Sequence, residues 1–196
     1  QRRQQQQQQQ QQRRQQQQGL ALVDELDECV VHIGDSRALA AAAAIRATRG
    51  FRSGKHAWSV EVGLSSDWSY VGFVGETWTA VSSPIGRAQF SWGLASNGVA
   101  FAGREEIGRL QDFATGSCIK FVVNMDARTA SVTVDGNDFP DAFRRLPATV
   151  FPAVSNCRSA AQYTLTFLPE PDHVASPERA QESCEKNRLM PADGKN

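Results

Sequence analysis

Three histidines, four cysteines and a few acidic pairs are the residues of this chain that could carry catalysis or hold a metal. Their spacing points away from both. His32 and His56 fall on segments of strand-like alternation and His173 lies in a polar C-terminal stretch, none with a nucleophile or acid at partnering distance in sequence. Cys29, Cys118, Cys157 and Cys184 are widely and irregularly placed, with no CxxC pair, so no zinc site and no other metal is expected. No GxSxG elbow or HExxH helix occurs. Glycosidases built on sandwiches use two carboxylates projecting from one strand; here Glu105 and Glu106 are adjacent in an expected loop and Glu61 stands alone. The glycines at 72, 75, 86, 93, 98, 103 and 108 are spread over strand ends, where they suit turns and close sheet packing, and they form no phosphate cradle. Asp126 and Asp135-Gly136 read as hairpin chemistry, since calcium needs several oxygen ligands at short spacing. No cofactor and no enzymatic activity are expected.

The elements that carry these residues are strands. In Gly54 to Val62, GKHAWSVEV, small or polar Ala57, Ser59 and Glu61 alternate with Trp58, Val60 and Val62, the period of a strand with one face in a core. Similar segments recur about every ten residues: 29–33, 45–48, 56–62, 70–74, 89–94, 99–102, 118–124, 130–134, 150–154 and 163–167. Turn signals such as Asn97-Gly98 and Asp135-Gly136 separate them, which predicts an all-β fold, a two-layer antiparallel sandwich. One stretch dissents: Ala38 to Ala44 has the highest helix propensity in the chain, and propensity yields to tertiary context.

Composition divides the chain into a Gln-rich tract at 1–19, a domain at 20–168 and a polar tail or linker at 169–196. The poly-Gln tract cannot bury enough apolar surface to offset the entropy of ordering it and is expected to be disordered, as is the tail. Four of the 21 basic residues, Arg2, Arg3, Arg13 and Arg14, lie in the tract without an acid, so 17 bases face 21 acids in the remainder. Such a body lacks the basic footprint of nucleic-acid binding. Neither an export signal nor a run of 18 apolar residues is seen, so no membrane partner is expected. Unpaired thiols predict a reducing, intracellular setting, cytoplasmic or nuclear. The chain begins at Gln1 and reads as a piece of a longer protein.

Trp58 and Trp92 sit inside alternating strands and are expected in the core; Trp68 and Trp78 sit beside turn residues, as binding anchors or as caps on the end of the sandwich. Taken in order, GKHAWSVEV, YVGFV, FSWGL, NMDARTASVTVDG, DAFRRL and VFPAVS resemble the SPRY domain family over about Val30 to Leu168. The resemblance implies a concanavalin-like jelly-roll sandwich that acts as a non-catalytic protein–protein interaction module, recognising peptides or scaffolding partners within larger chains.

RGFRSGKHAW, DAFRRL and FPAVSNCRSAAQYTLTFL are most similar to the group that carries a SOCS box, although no SOCS box is visible between Leu168 and Asn196. That likeness implies a partner-binding surface from three loops: Ser36, Arg37, Ala38 and Leu39; Val81, with Trp78 close by; and Cys157, Arg158 and Ser159. Val81 and Arg158 stand where the group carries Tyr and Trp, so the surface is inherited and its peptide specificity is not. Arg37 and Arg158 would favour an acidic or phosphorylated peptide. A monomeric domain is expected. Two other classes stay open from the residues alone, a carbohydrate-binding sandwich and a purely structural domain with an apolar outer sheet face.

Overall fold

The structure, a computed structural model, describes residues 28–34, 42–65, 68–157 and 159–169. Twelve strands run in chain order: β1 Glu28–Ile33, β2 Ala42–Arg46, β3 Lys55–Leu64, β4 Ser69–Gly75, β5 Ser91–Ala95, β6 Val99–Ala102, β7 Glu105–Arg109, β8 Cys118–Asn124, β9 Thr129–Val134, β10 Asn137–Arg144, β11 Val150–Cys157 and β12 Ala161–Leu168. They form two six-stranded antiparallel sheets, ordered β1-β12-β3-β8-β9-β10 and β2-β11-β4-β5-β6-β7. The described residues contain no helix.

Between the sheets the alternation read in the sequence becomes a core. Trp58, Val60 and Val62 of β3, Ile119, Phe121 and Val123 of β8, and Tyr163, Leu165 and Phe167 of β12 project inward from the first sheet. Val71 and Phe73 of β4 and Val154 of β11 meet them from the second. Trp58, fully buried, stacks on Phe121 at 5.3 Å and meets Phe73 edge-on at 6.1 Å.

A second apolar cluster lies on the outer side of the second sheet, where the 76–90 connection folds back over β4, β5 and β11. Trp78, Ile85 and Ala88 pack there against Tyr70, Val74, Val99, Phe101 and Ala153. All seven residues of β4 are therefore buried, the signature of a strand covered on both faces. Gly72 and Gly93 face each other in register and leave a flat spot for the strap; a Cβ on Gly93 would stand 2.6 Å from the Ile85 carbonyl oxygen. Two hydroxyls fasten it: Ser155 Oγ accepts from Ile85 N at 2.9 Å, and Ser91 Oγ accepts from Gly86 N while donating to the Ala88 carbonyl at 2.6 Å.

Several expectations need correction. Glu105 and Glu106 form strand β7 rather than a loop; its residues are all exposed at the sheet edge, so no hydrophobic alternation announces it. The segment 137–144 is a further strand, β10, at the other sheet's edge. Its register shifts between Phe139 and Phe143, and Pro140 sits in that irregular stretch, where a missing N–H costs least. The alanine run is extended from Ala42, paired with β11, and Ala38 lies outside the described residues. Cys29 and Cys157 are in no disulfide, as expected, whereas Cys118 is disulfide-bonded, against the expectation. Separation along the chain says nothing about separation in space.

Candidate functional site: the loop end of the sandwich

One end of the sandwich collects the starts of β2, β4 and β12 with the ends of β1, β3, β5 and β11. Asn156, buried near the end of β11, organises it. Its carbonyl oxygen accepts from Ser69 Oγ at 2.8 Å and its Nδ2 donates to the Ser159 carbonyl at 2.7 Å, clamping the turn between β11 and β12 onto the start of β4. Cys157 N donates to the Trp68 carbonyl at 3.1 Å. Across the sheet Cys157 is in register with Ala42, and two residues further along β2 the Ala44 N–H donates to the Val81 carbonyl at 3.0 Å.

Beside this junction lies an open cavity of about 820 Å³ whose aromatic side chains are Trp68, Tyr70, Phe101 and Phe113. Trp68 is 45% exposed while Tyr70 is buried, so one aromatic stands at the rim and another forms the floor. Arg87, brought in by the strap, places its guanidinium 4.6 Å from the centre of the Phe101 ring and near the Tyr70 hydroxyl. Burial pushes the Tyr70 phenol above its ordinary range, Arg87 opposes that rise and Cys157 adds to it, so the hydroxyl stays protonated at neutral pH. Ser96, Asn97 and Thr115 supply polar edges. An aromatic rim, a rigid floor and one fixed guanidinium suit the docking of a side chain with its flanking backbone.

The residues expected from the sequence fare unequally. Val81, Cys157 and Ser159 do gather around the starts of β2 and β4, with Val81 51% exposed. Ser36, Arg37, Ala38, Leu39 and Arg158 lie outside the described residues, and their flanks, Gly34, Ala42, Cys157 and Ser159, belong to this end. Trp78 is a correction: at 7% exposure it is a wedge of the strap, packed under the second apolar cluster, with no free face to offer a partner.

Tyr70, Arg87, Phe101 and Phe113 were not among the expected site residues, and Trp68 was expected only as an anchor or an end cap. Trp68 beside a turn was a partial signal; Tyr70 and Phe101 read as strand residues, and nothing local tells that the strap brings Arg87 to them. The two described histidines stay outside any reactive arrangement: His32 is an exposed strand residue, and His56 bonds through Nε2 to the Ser53 carbonyl at 2.7 Å while stacking on Phe51. Among the described residues no three His, Cys, Asp or Glu side chains gather to hold a metal, and no helix is long and apolar enough to cross a membrane.

Comparison with known proteins agrees with this architecture. Residues 55–169, more than half of the chain, match the SPRY domain family. This chain belongs to the SPRY family. SPRY domains are generally protein–protein interaction modules and typically non-catalytic. No curated protein matches the chain. Among solved structures, the SPRY domain of human HERC1 superposes with a TM-score of 0.58 at 19% identity, covering 78% of this chain and 94% of its own. A second human SPRY domain gives 0.53 at 18% identity, covering 74% and 93%. At such identities the likeness is one of fold, a jelly-roll-like two-sheet sandwich. The family match begins at β3, so β1 and β2 of this SPRY domain are outside it.

Proposed function

We propose that this SPRY domain is a non-catalytic recognition module that binds a partner protein or a linear peptide at its loop end. The observation that carries the reading is the cavity beside the Cys157–Ser159 turn, with exposed Trp68 at its rim and Arg87 fixed over Phe101. A peptide side chain seats against the aromatic floor, the neighbouring loops grip its backbone, and Arg87 sets its orientation. The module works as a monomeric domain that supplies substrate recognition or scaffolding to a larger protein, such as a ubiquitin ligase. It binds neither nucleic acid nor membrane, and it acts in the cytoplasm or nucleus. Imaging of the tagged protein in cells checks that setting, and it fails if the signal lies in the secretory pathway, where a disulfide at Cys118 would persist.

The test is selection of linear peptides from a random display library on the whole chain, followed by anisotropy titration of the winners. Trp68→Ala and Arg87→Ala are expected to weaken the selected peptides by about tenfold or more, as buried aromatic and Arg anchors do, without moving the melting temperature. Failure of any peptide to enrich, with capture of glycans on an array instead, would sink the reading in favour of a carbohydrate-binding sandwich. An acidic preference at this end rests on Arg37 and Arg158. It fails if the Arg37→Ala, Arg158→Ala double variant binds acidic winners as tightly as the parent.

A further inference from the structure

The opposite end of the sandwich carries a different chemistry. There the 47–54 connection, the 125–128 turn and the 145–149 connection are tied together: Met125 N donates to the Gly54 carbonyl at 2.9 Å, Leu146 N to the Arg128 carbonyl at 3.2 Å, and Phe51 bridges to Val150. Arg49 and Arg52 lie in the first of these, flanked by Arg46 and Lys55 at the strand ends, and Arg128, Arg145 and the adjacent Arg144 join them from the other two. Three acids accompany these seven bases: Glu76, Asp126 and Asp141. Over the rest of the described residues the balance reverses, with four bases to seven acids. The domain is electrostatically polarised although its formal charge is close to neutral.

Two of the guanidinium groups are held by aromatic rings. Arg46 lies 4.3 Å from the centre of the Phe151 ring, and Arg49 lies 4.8 Å from Phe167 and 5.8 Å from Phe51. Stacking of this kind pre-orients a donor fork, so little freedom is lost when an oxyanion arrives. Arg49, Arg52 and Lys55 share the wall of a cavity of about 590 Å³ with Phe51, His56 and Asp126. Asp126 is already engaged, accepting from Gly54 N at 3.1 Å. Arg52 pairs with Glu76 at 3.0 Å with both side chains largely exposed, a contact that water screens and an incoming anion can replace.

We propose that this end is a second interaction surface, which takes an anionic peptide segment of a partner protein with its oxyanions over Arg49, Arg52 and Lys55. Glu76, Asp126 and Asp141 are interspersed among the bases, so discrete carboxylates or phosphates fit where the continuous charge of a nucleic-acid backbone would meet repulsion. The surface is independent of the loop-end cavity, and each can be lost without the other.

The test uses the whole chain and three fluorescent peptides of one sequence, carrying glutamates, phosphoserines or glutamines at the same positions. Binding is expected for both anionic peptides, tighter for the phosphorylated one, falling as salt rises. It should be undetectable for the glutamine peptide. Removing three cations in R49Q/R52Q/K55Q is expected to weaken anionic binding by about tenfold, and Trp68→Ala to leave it unchanged. Equal binding of the glutamine peptide, an unaltered affinity in the triple variant, or tighter binding of a single-stranded oligonucleotide would each overturn the proposal. If the triple variant fails to fold, the single Lys55→Gln variant and the salt dependence decide: insensitivity to both overturns it.

Discussion

Three tryptophans show how differently one residue type is used. Trp58 is fully buried between two sheets and stacked on Phe121. Trp58→Ala is expected to cost about 3–5 kcal/mol, read as a fall in the denaturant midpoint. Trp68→Ala, at a 45% exposed rim position, should leave stability essentially unchanged while weakening peptide binding by about tenfold or more. Trp78 lies between these, buried with an indole N–H that finds no acceptor among the described residues. Tyr163 gives a pH dependence. Its hydroxyl donates to the Ser155 carbonyl at 3.2 Å, and burial pushes its pKa well above the ordinary value of 10.0. The fold favours the neutral phenol, so stability is complete below that ordinary value and falls as pH climbs above it. Melting temperatures above pH 10 should decline, and Tyr163→Phe should shrink the decline.

At the scale of elements, the strap over the second sheet decides where the candidate site is. It buries Trp78, presents Val81 along β2 and delivers Arg87 to Tyr70 and Phe101. Its backbone relies on hydroxyls of β5 and β11, so Ser155→Ala leaves the buried Ile85 N–H without its acceptor and is expected to cost about 1–3 kcal/mol. Gly93→Ala puts a methyl group 2.6 Å from the Ile85 carbonyl. It should both destabilise the domain and weaken loop-end binding, because it lifts the segment that carries Arg87; an unchanged peptide affinity would argue against the strap's positioning role.

At the scale of the molecule, the sandwich is larger than its family match. β1 pairs with β12 and β2 with β11, and Val31 and Ile33 of β1 enter the main core. Residues 20–168 are expected to melt as one cooperative unit, whereas a chain shortened to 55–169 exposes the edges of β12 and β11 and should melt at lower temperature with a tendency to associate. The two ends make separate predictions: loop-end binding should respond to aromatic substitutions, and binding at the cationic end to salt.

Much of the architecture was legible in the sequence because a strand with one buried face writes a period of two into its residues. GKHAWSVEV, CIKFVVN and QYTLTFL each show it, and their burial follows it at Trp58, Phe121 and Leu165. β7 and β10 stayed hidden, since edge strands with exposed or irregular faces need no such pattern. The sequence by itself determined the all-β class, the antiparallel hairpins and the core tryptophan. Only the tertiary structure decided which polar and aromatic residues meet. Arg87 and Tyr70, Asn156 and Ser69, and the bases of three separate connections lie far apart along the chain, and they converge only through sheet order and the path of one strap. A local pattern records which side of an element is buried; it carries no record of what another part of the chain will place against it.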